Sequence, residues 1–362
     1  MTTIVAVNCR VLSKPTLTGV GRYTLQLLDS LVTRDDGLEY VAFGIDELPE
    51  LLQGRDGIES AREPAWSPSG PVAHAWEQFR LPLALRQHEV DLLHTPAGHA
   101  PALSRLPKVT TIHDISPIAH PEWFSTGYAT LYRILTPVTV RTSDALITVS
   151  ESAATDIRDR YPSTSVHAVQ NGVARVPNGE RPTEFDVPET YFLFVGSLNP
   201  RKNISGLLRA YRKYRDNTEE PAALLLVGPE NDVFADVGVD PVPGAHTTGY
   251  VSDSELGWLY RHARGFVFPS LYEGFGLPIV EAMSVGTPVI TAEYGAMAET
   301  ANDAAILVDP EDEAALADAL LELDTDSSHR EALAACGRER AEKFTWERAA
   351  GETTRIYESV HS

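Results

Sequence analysis

The chain has 362 residues, 43% hydrophobic and 22% charged, which suits two domains of ordinary size and excludes a disordered chain. Its 30 basic and 51 acidic residues give a net charge of −21, which repels phosphate backbones and anionic lipid, so no nucleic-acid partner is expected and membrane docking has no support in charge. No run approaches the roughly eighteen apolar residues of a membrane-spanning helix, Met1–Arg10 enters a strand-like run at once, and Cys9 and Cys336 build no disulfide framework; these features together predict a cytoplasmic location.

Short apolar runs alternate with helical patterns through nearly the whole chain, which predicts βαβ units and parallel sheets. In the first half, strands are expected at Ile4–Val7, Tyr40–Ile45, Asp91–His94, Val109–His113, Ala145–Val149 and Val166–Val169. Helices are expected at Arg22–Val32, Ala75–Arg86, Tyr128–Arg141 and Glu151–Arg160. After the first strand comes Thr18-Gly-Val-Gly-Arg-Tyr-Thr24. Gly19 and Gly21 suit a phosphate-cradling turn, but a dinucleotide fingerprint needs a third glycine where Thr24 stands. Thr111-Ile-His113-Asp114 places a histidine and an aspartate at a strand's carboxyl end, where α/β sheets contact ligands; a hydrogen-bonded structural histidine fits nearly as well. The aromatic stretch from Trp123 to Tyr132 could face a lipid acceptor, although a buried helix face explains it more simply.

From Asn171-Gly172 through Pro177, Pro182 and Pro188 the chain turns polar and proline-marked, as linkers do. The expected organisation is a domain over 1–176, a linker over 177–190, a second domain over 191–344 and a terminal helix in 345–362. The second domain restarts the pattern, with strands at Tyr191–Val195, Ala223–Val227, Gly265–Pro269, Pro288–Thr291 and Ala305–Val308. Its helices fall at Ile204–Arg215, Asp253–His262, Pro278–Val285 and Glu313–Leu323, and two more follow between Ser328 and Val360 with a break near Phe344. Doubly wound domains of this kind bind ligands at the carboxyl ends of their strands, here expected to meet at a cleft between the domains.

Two motifs in this half carry chemistry. Val195-Gly-Ser-Leu-Asn-Pro-Arg-Lys-Asn-Ile204 puts Arg201 and Lys202 just ahead of a helix. Cations there oppose the helix dipole, which makes sense if an anion such as a diphosphate sits between; two ordinary surface cations explain the pair equally well. Glu273-Gly-Phe-Gly-Leu-Pro-Ile-Val-Glu281 follows a buried strand and runs into a helix with Pro278 in its first turn. Gly274 and Gly276 let a ligand approach the backbone, and the helix start offers free N–H groups. Two carboxylates beside such a loop are wrong for a bare phosphate and right for sugar hydroxyls, which they can accept. Asp324-Thr-Asp326 has the spacing of a metal pair but reads as a surface turn, and no His/Cys cluster has zinc spacing, so no metal is expected.

Together these residues resemble the retaining GT-B glycosyltransferases of family four, over nearly the whole chain, with Glu-x7-Glu as the specific signature. The resemblance implies a fold of two Rossmann-like domains and transfer of a hexose, mannose by the Asn-Pro-Arg-Lys-Asn form, from a GDP- or UDP-linked donor to a glycan, lipid-linked or small-molecule acceptor. It implies that Glu281 binds the donor ribose and that Glu273 meets the transferred sugar, beside backbone groups of Phe275, Gly276 and Leu277. Arg201 and Lys202 would neutralise the leaving diphosphate, Gly19 and Gly21 would let a loop close on it, and His113 would line the sugar pocket. Val251 would lie near the nucleobase, and the terminal helix would cross back to the first domain. No cofactor or metal is implied. A non-hydrolysing nucleotide-sugar epimerase and a non-catalytic sugar-nucleotide-binding subunit share the same frame, whereas a nicotinamide dehydrogenase is disfavoured by Thr24.

Of the 30 basic residues only Lys14, Lys108, Lys202, Lys213 and Lys343 are lysine. A GC-rich genome explains few lysines but not surplus acids, so the composition favours a protein adapted to concentrated salt, where screening removes self-repulsion.

Overall fold

The computed structural model describes residues 2–17, 19–67, 69–162, 164–197, 199–228 and 242–361. Thr18 and Leu198, members of two of the motifs above, lie outside the described residues. The chain forms two compact units: Met1–Ile115 with Thr130–Gly172 and Thr345–Ser362, and Ser116–Ala129 with Val173–Phe344.

The first unit is built on seven strands: β1 (Thr3–Asn8), β2 (Leu38–Gly44), β3 (Ile58–Pro64), β4 (Leu92–Thr95), β5 (Lys108–Thr111), β6 (Ala145–Thr148) and β7 (Val166–Ala168). They pair in parallel in the order β3-β2-β1-β4-β5-β6-β7. The central strands are buried along their length, which is why they read as continuous apolar runs rather than as alternation. β3 escaped the sequence pattern because it is an edge strand. Its Ile-Glu-Ser-Ala-Arg-Glu-Pro sequence is only partly buried, and a terminal proline is tolerated there because the outer side needs no ladder bonds.

The second unit repeats the scheme with β8 (Tyr191–Val195), β9 (Ala223–Val227), β10 (Ala245–Gly249), β11 (Gly265–Phe268), β12 (Val289–Ala292) and β13 (Ile306–Val308), all parallel among the described residues, in the order β10-β9-β8-β11-β12-β13. This is the strand order of doubly wound dinucleotide-type sheets, and the first sheet has it too with β7 added at one edge. β10 was missed for the same reason as β3: it is an edge strand of sequence Ala-His-Thr-Thr-Gly.

Several helical segments differ from expectation, among them the following. The first helix spans Gly19–Val32, so Gly19 and Gly21 sit in its opening turn rather than in a phosphate-cradling loop. Among the described residues space is open around Gly19, and a β-carbon on Gly21 would first meet the flexible Leu17 side chain, at 3.1 Å. The single helix expected at Ala75–Arg86 is instead Gly70–Ala75, a π-helical turn at Trp76–Arg80, and Leu81–Leu85. Trp76, Leu81, Ala84 and Leu85 anchor it to Ala6, Phe43 and Leu93 in the core. The short helix Gly295–Ala301 had not been expected.

The last helix, Trp346–His361, belongs to the first unit and packs on Gly19–Val32. Trp346 meets Tyr23 edge-on at 5.8 Å, and Tyr357 Oη lies 2.6 Å from His94 Nδ1. Gly172 makes room for the start of this helix, since a β-carbon there would come within 2.3 Å of Trp346 N. Among the described residues, no helix is long and apolar enough to cross a membrane.

Candidate functional site

In the second sheet the strand order reverses between β8 and β11, and the crevice beside such a reversal is where doubly wound sheets hold ligands. The segments leaving those two strands carry Arg201, Lys202 and Glu273. After β8, Pro200–Lys202 forms a 3-10 turn and Asn203 takes a left-handed conformation (φ 56°) that starts the helix Ile204–Asp216. Asn203 is fixed by Nδ2 donating to Pro310 O at 2.6 Å.

The structure brings the two cations onto Glu273. Arg201 Nη1 donates to Glu273 Oε2 at 2.8 Å and to Tyr272 O at 3.2 Å, and Lys202 Nζ donates to Glu273 Oε1. Lys202 Nζ also lies 4.5 Å from the centre of the Phe268 ring. Burial pushes the Glu273 carboxyl up, but the charges of Arg201 and Lys202 outweigh it and hold the group below the usual carboxylate range. The sequence assigned the cations to a diphosphate and the carboxylate to a sugar; in the structure the three form one ion-paired group with a formal charge of about +1.

Gly276 adopts φ 88°, which glycine reaches without strain, and caps the helix Leu277–Ser284. No side chain caps that helix, and the first amides of a helix lack intrahelical partners, so the start suits oxygen ligands. Phe275 is buried edge-on against Phe344 at 5.4 Å, with its carbonyl accepting from Thr300 Oγ1 at 2.6 Å. Its carbonyl therefore has a protein partner. Glu281 Oε2 accepts from Tyr260 Oη at 3.0 Å, a partner that nothing in the sequence marked. Val251 is buried just ahead of Ser252, which makes a reciprocal capping box with Glu255.

Gly19, Gly21 and His113 belong to the first unit. His113 lies just beyond β5, with its Nε2 3.0 Å from Pro96 O. A carbonyl only accepts, so Nε2 carries the proton and Nδ1 is the acceptor end of the neutral ring. Burial lowers the His113 pKa, against the opposing effects of the Pro96 bond and Asp114, and so favours that neutral ring.

Asp326 is exposed in the break between two helices, as expected, whereas Asp324 lies inside the first of them. Asp324 closes the helix Glu313–Thr325, accepting from Tyr214 Oη at 2.7 Å and lying 3.4 Å from Arg264 Nε, while Asp326 caps the next helix through His329 N. Among the described residues, no three His, Cys, Asp or Glu side chains group in a way that could hold a metal ion. The aromatic stretch splits: Phe124 is buried, while Trp123 stacks on His120 with ring centres 4.0 Å apart.

Comparison with known proteins agrees with this architecture. Residues 17–175 match the family described as Glycosyltransferase Family 4, and residues 178–340 match Glycosyl transferases group 1. The chain is 31% identical to O-antigen chain mannosyltransferase B of Escherichia coli, over 94% of this chain and 96% of that one. Among solved structures it resembles sucrose-phosphate synthase from Thermosynechococcus elongatus (TM-score 0.74, 19% identity, 99% of both chains). It also resembles Anabaena HepE in complex with UDP and glucose (TM-score 0.71, 17% identity, 99% of this chain and 100% of that one). The chain belongs to glycosyltransferase family 4, the GT-B enzymes that transfer a sugar from a nucleotide-sugar donor.

Proposed function

We propose that this protein is a retaining hexosyltransferase that takes mannose from GDP-mannose and transfers it to a hydroxyl of a glycan or lipid-linked glycan. The observation that carries the reading is the Arg201–Lys202–Glu273 group at the carboxyl ends of β8 and β11. Likeness to a mannosyltransferase supports the choice of sugar.

Breaking the glycosidic C–O bond places growing negative charge on the diphosphate. Cations already fixed in a low-dielectric site stabilise that charge without having to reorganise. Glu273 keeps Arg201 and Lys202 in place before donor arrives, and its own oxygens are then near enough to accept hydroxyl bonds from the transferred sugar. The uncapped start of Leu277–Ser284, with Phe275 and Gly276, supplies amides to the same ligand. Glu281, oriented by Tyr260, takes the ribose hydroxyls, and Val251 bounds the base. In the first unit the neutral His113 offers Nδ1 as a hydrogen-bond acceptor, and Gly19 and Gly21 contribute no side chain at the helix start. Configuration is retained without a protein nucleophile, the departing phosphate accepting the acceptor's proton.

The test is calorimetric titration with GDP, GDP-mannose, UDP and UDP-glucose, followed by product analysis with the best donor. Tighter binding of the GDP compounds and mannosyl transfer are expected. A preference for UDP ligands would replace the mannose reading, and conversion of the donor's own sugar without any acceptor would replace transfer by epimerisation.

A further inference from the structure

The first sheet has its own reversal of strand order, between β1 and β4. The segments beside it carry a buried polar cluster that the site above does not use. Glu77, with 0% exposure, sits in the π-helical turn Trp76–Arg80. Its Oε1 accepts from Asn8 Nδ2 at 3.0 Å and Arg10 Nε at 2.9 Å, and its Oε2 lies 3.0 Å from His74 Nδ1. The loop after β4 is moulded on this carboxylate: Gly98 takes φ 105°, and a β-carbon there would come within 2.8 Å of Glu77 Oε1. The next residue, His99, is 3% exposed and meets Tyr132 edge-on at 4.8 Å and His74 at 5.3 Å, while its Nδ1 has no hydrogen-bond partner in the protein.

The electrostatics fix the tautomer. Burial pushes the Glu77 carboxyl up, but the His74 hydrogen bond and the Arg10 charge outweigh it, so the group is held below the usual range and stays ionised. An ionised carboxylate only accepts, which places the shared proton on His74 Nδ1. When the ring is neutral, Nε2 carries the lone pair at the end away from Glu77, on a side chain that is 13% exposed. Burial lowers the His99 pKa to about 4, so that ring is neutral near pH 7. A buried ion pair seldom adds net stability, and π turns recur at functional positions. Arg10 is matched by Glu77, so that pair carries no net charge and suits a ligand of hydroxyls better than a phosphate.

We propose that this cluster is an acceptor subsite for a neutral pyranoside, in which His74 Nε2 accepts a hydrogen bond from a sugar hydroxyl and Glu77 is the positioning residue. The proposal rests on the transferase reading, which supplies the need for an acceptor.

The probes are methyl α-mannopyranoside, methyl α-glucopyranoside and methyl α-galactopyranoside, read by saturation-transfer NMR and as acceptors with the donor that binds best. His74→Ala should raise the KM of the preferred glycoside roughly tenfold, the upper value for one lost hydrogen bond, with kcat much less affected. His74→Gln, whose carbonyl can accept the same bond, should recover most of that loss. Glu77→Gln should also raise KM; it leaves Arg10 without its charge partner and can fail to fold, so the His74 pair decides. Donor affinity in each folded variant should equal that of wild type. An unchanged KM in His74→Ala, or a wild-type protein that binds donor but none of the three glycosides, would overturn the subsite and leave the transferase reading standing. Failure to bind any nucleotide or nucleotide sugar would instead strike the reading on which the subsite rests.

Discussion

Replacing Glu273 by alanine should destabilise the protein in a way that a nucleotide can repair. The side chains of Glu273, Arg201 and Lys202 are only 10%, 16% and 8% exposed, so their ion pairs are little screened by solvent. Removing one partner of a buried pair costs about 3–5 kcal/mol, because the charge left behind stays desolvated. A unit of this size loses roughly 2–4 °C of melting temperature per kcal/mol, so a fall of roughly 6–20 °C is expected. Removing the carboxylate raises the local positive charge, so the site should bind a diphosphate more tightly. Saturating nucleoside diphosphate should therefore raise the melting temperature of Glu273→Ala more than that of wild type, while sugar transfer is lost. Acidity gives a second check. The folded carboxyl titrates below its ordinary value of 4.5, so its contribution is complete above that pH and fades as pH falls through the depressed folded value. The gap between wild type and variant should close in the same range. Differential scanning fluorimetry across pH, with and without ligand, measures all of this. A variant that melts with wild type at neutral pH, or gains no more from nucleotide, would refute the assignment.

Glu281→Ala should weaken donor binding by about 1–3 kcal/mol through loss of charge-assisted hydrogen bonds, and calorimetry on the folded variant checks it. Gly172→Ala would force a β-carbon to 2.3 Å from Trp346 N, so a loss of about 1–3 kcal/mol or more is expected, seen as early protease clipping of Trp346–His361. Transfer should survive EDTA, because Arg201 and Lys202 can neutralise the diphosphate; activity lost to chelator and restored by magnesium would contradict that role. With a net charge of −21, the melting temperature should rise well into molar potassium chloride, where the Debye length falls to about 3 Å; a flat curve would leave genome composition to explain the scarce lysines.

Legibility in the sequence followed locality. Tyr191–Val195 and Ala223–Val227 are strands over those residues because buried parallel strands write themselves as unbroken apolar runs. Glu151–Arg160 and Asp253–His262 have the expected ends because Ser150 and Ser252 cap them with side-chain bonds. β3 and β10 were hidden by edge positions that ask little of their side chains. The π turn was hidden because inserting one residue into a helix leaves its apolar spacing nearly intact. At the site, Glu273 and Glu281 were legible as a spacing. The pairing of Glu273 with Arg201 and Lys202 joins residues 72 and 71 apart in sequence, and no local pattern encodes that contact. The Glu77 cluster stayed silent for the same reason: Asn8, His74 and Gly98 become neighbours only through strand order.

The route of the chain also sets an order of events during synthesis. The second unit is drawn mostly from Val173–Phe344, while the first waits for Thr345–Ser362, which is translated after it. Until then, the face of Gly19–Val32 that receives Trp346–His361 has no cover, and His94 lacks the Tyr357 hydroxyl. The first unit to begin is thus the second to be completed: its partly exposed core waits while about 170 residues are made, roughly ten to thirty seconds, and longer in a chain stalled before Trp346.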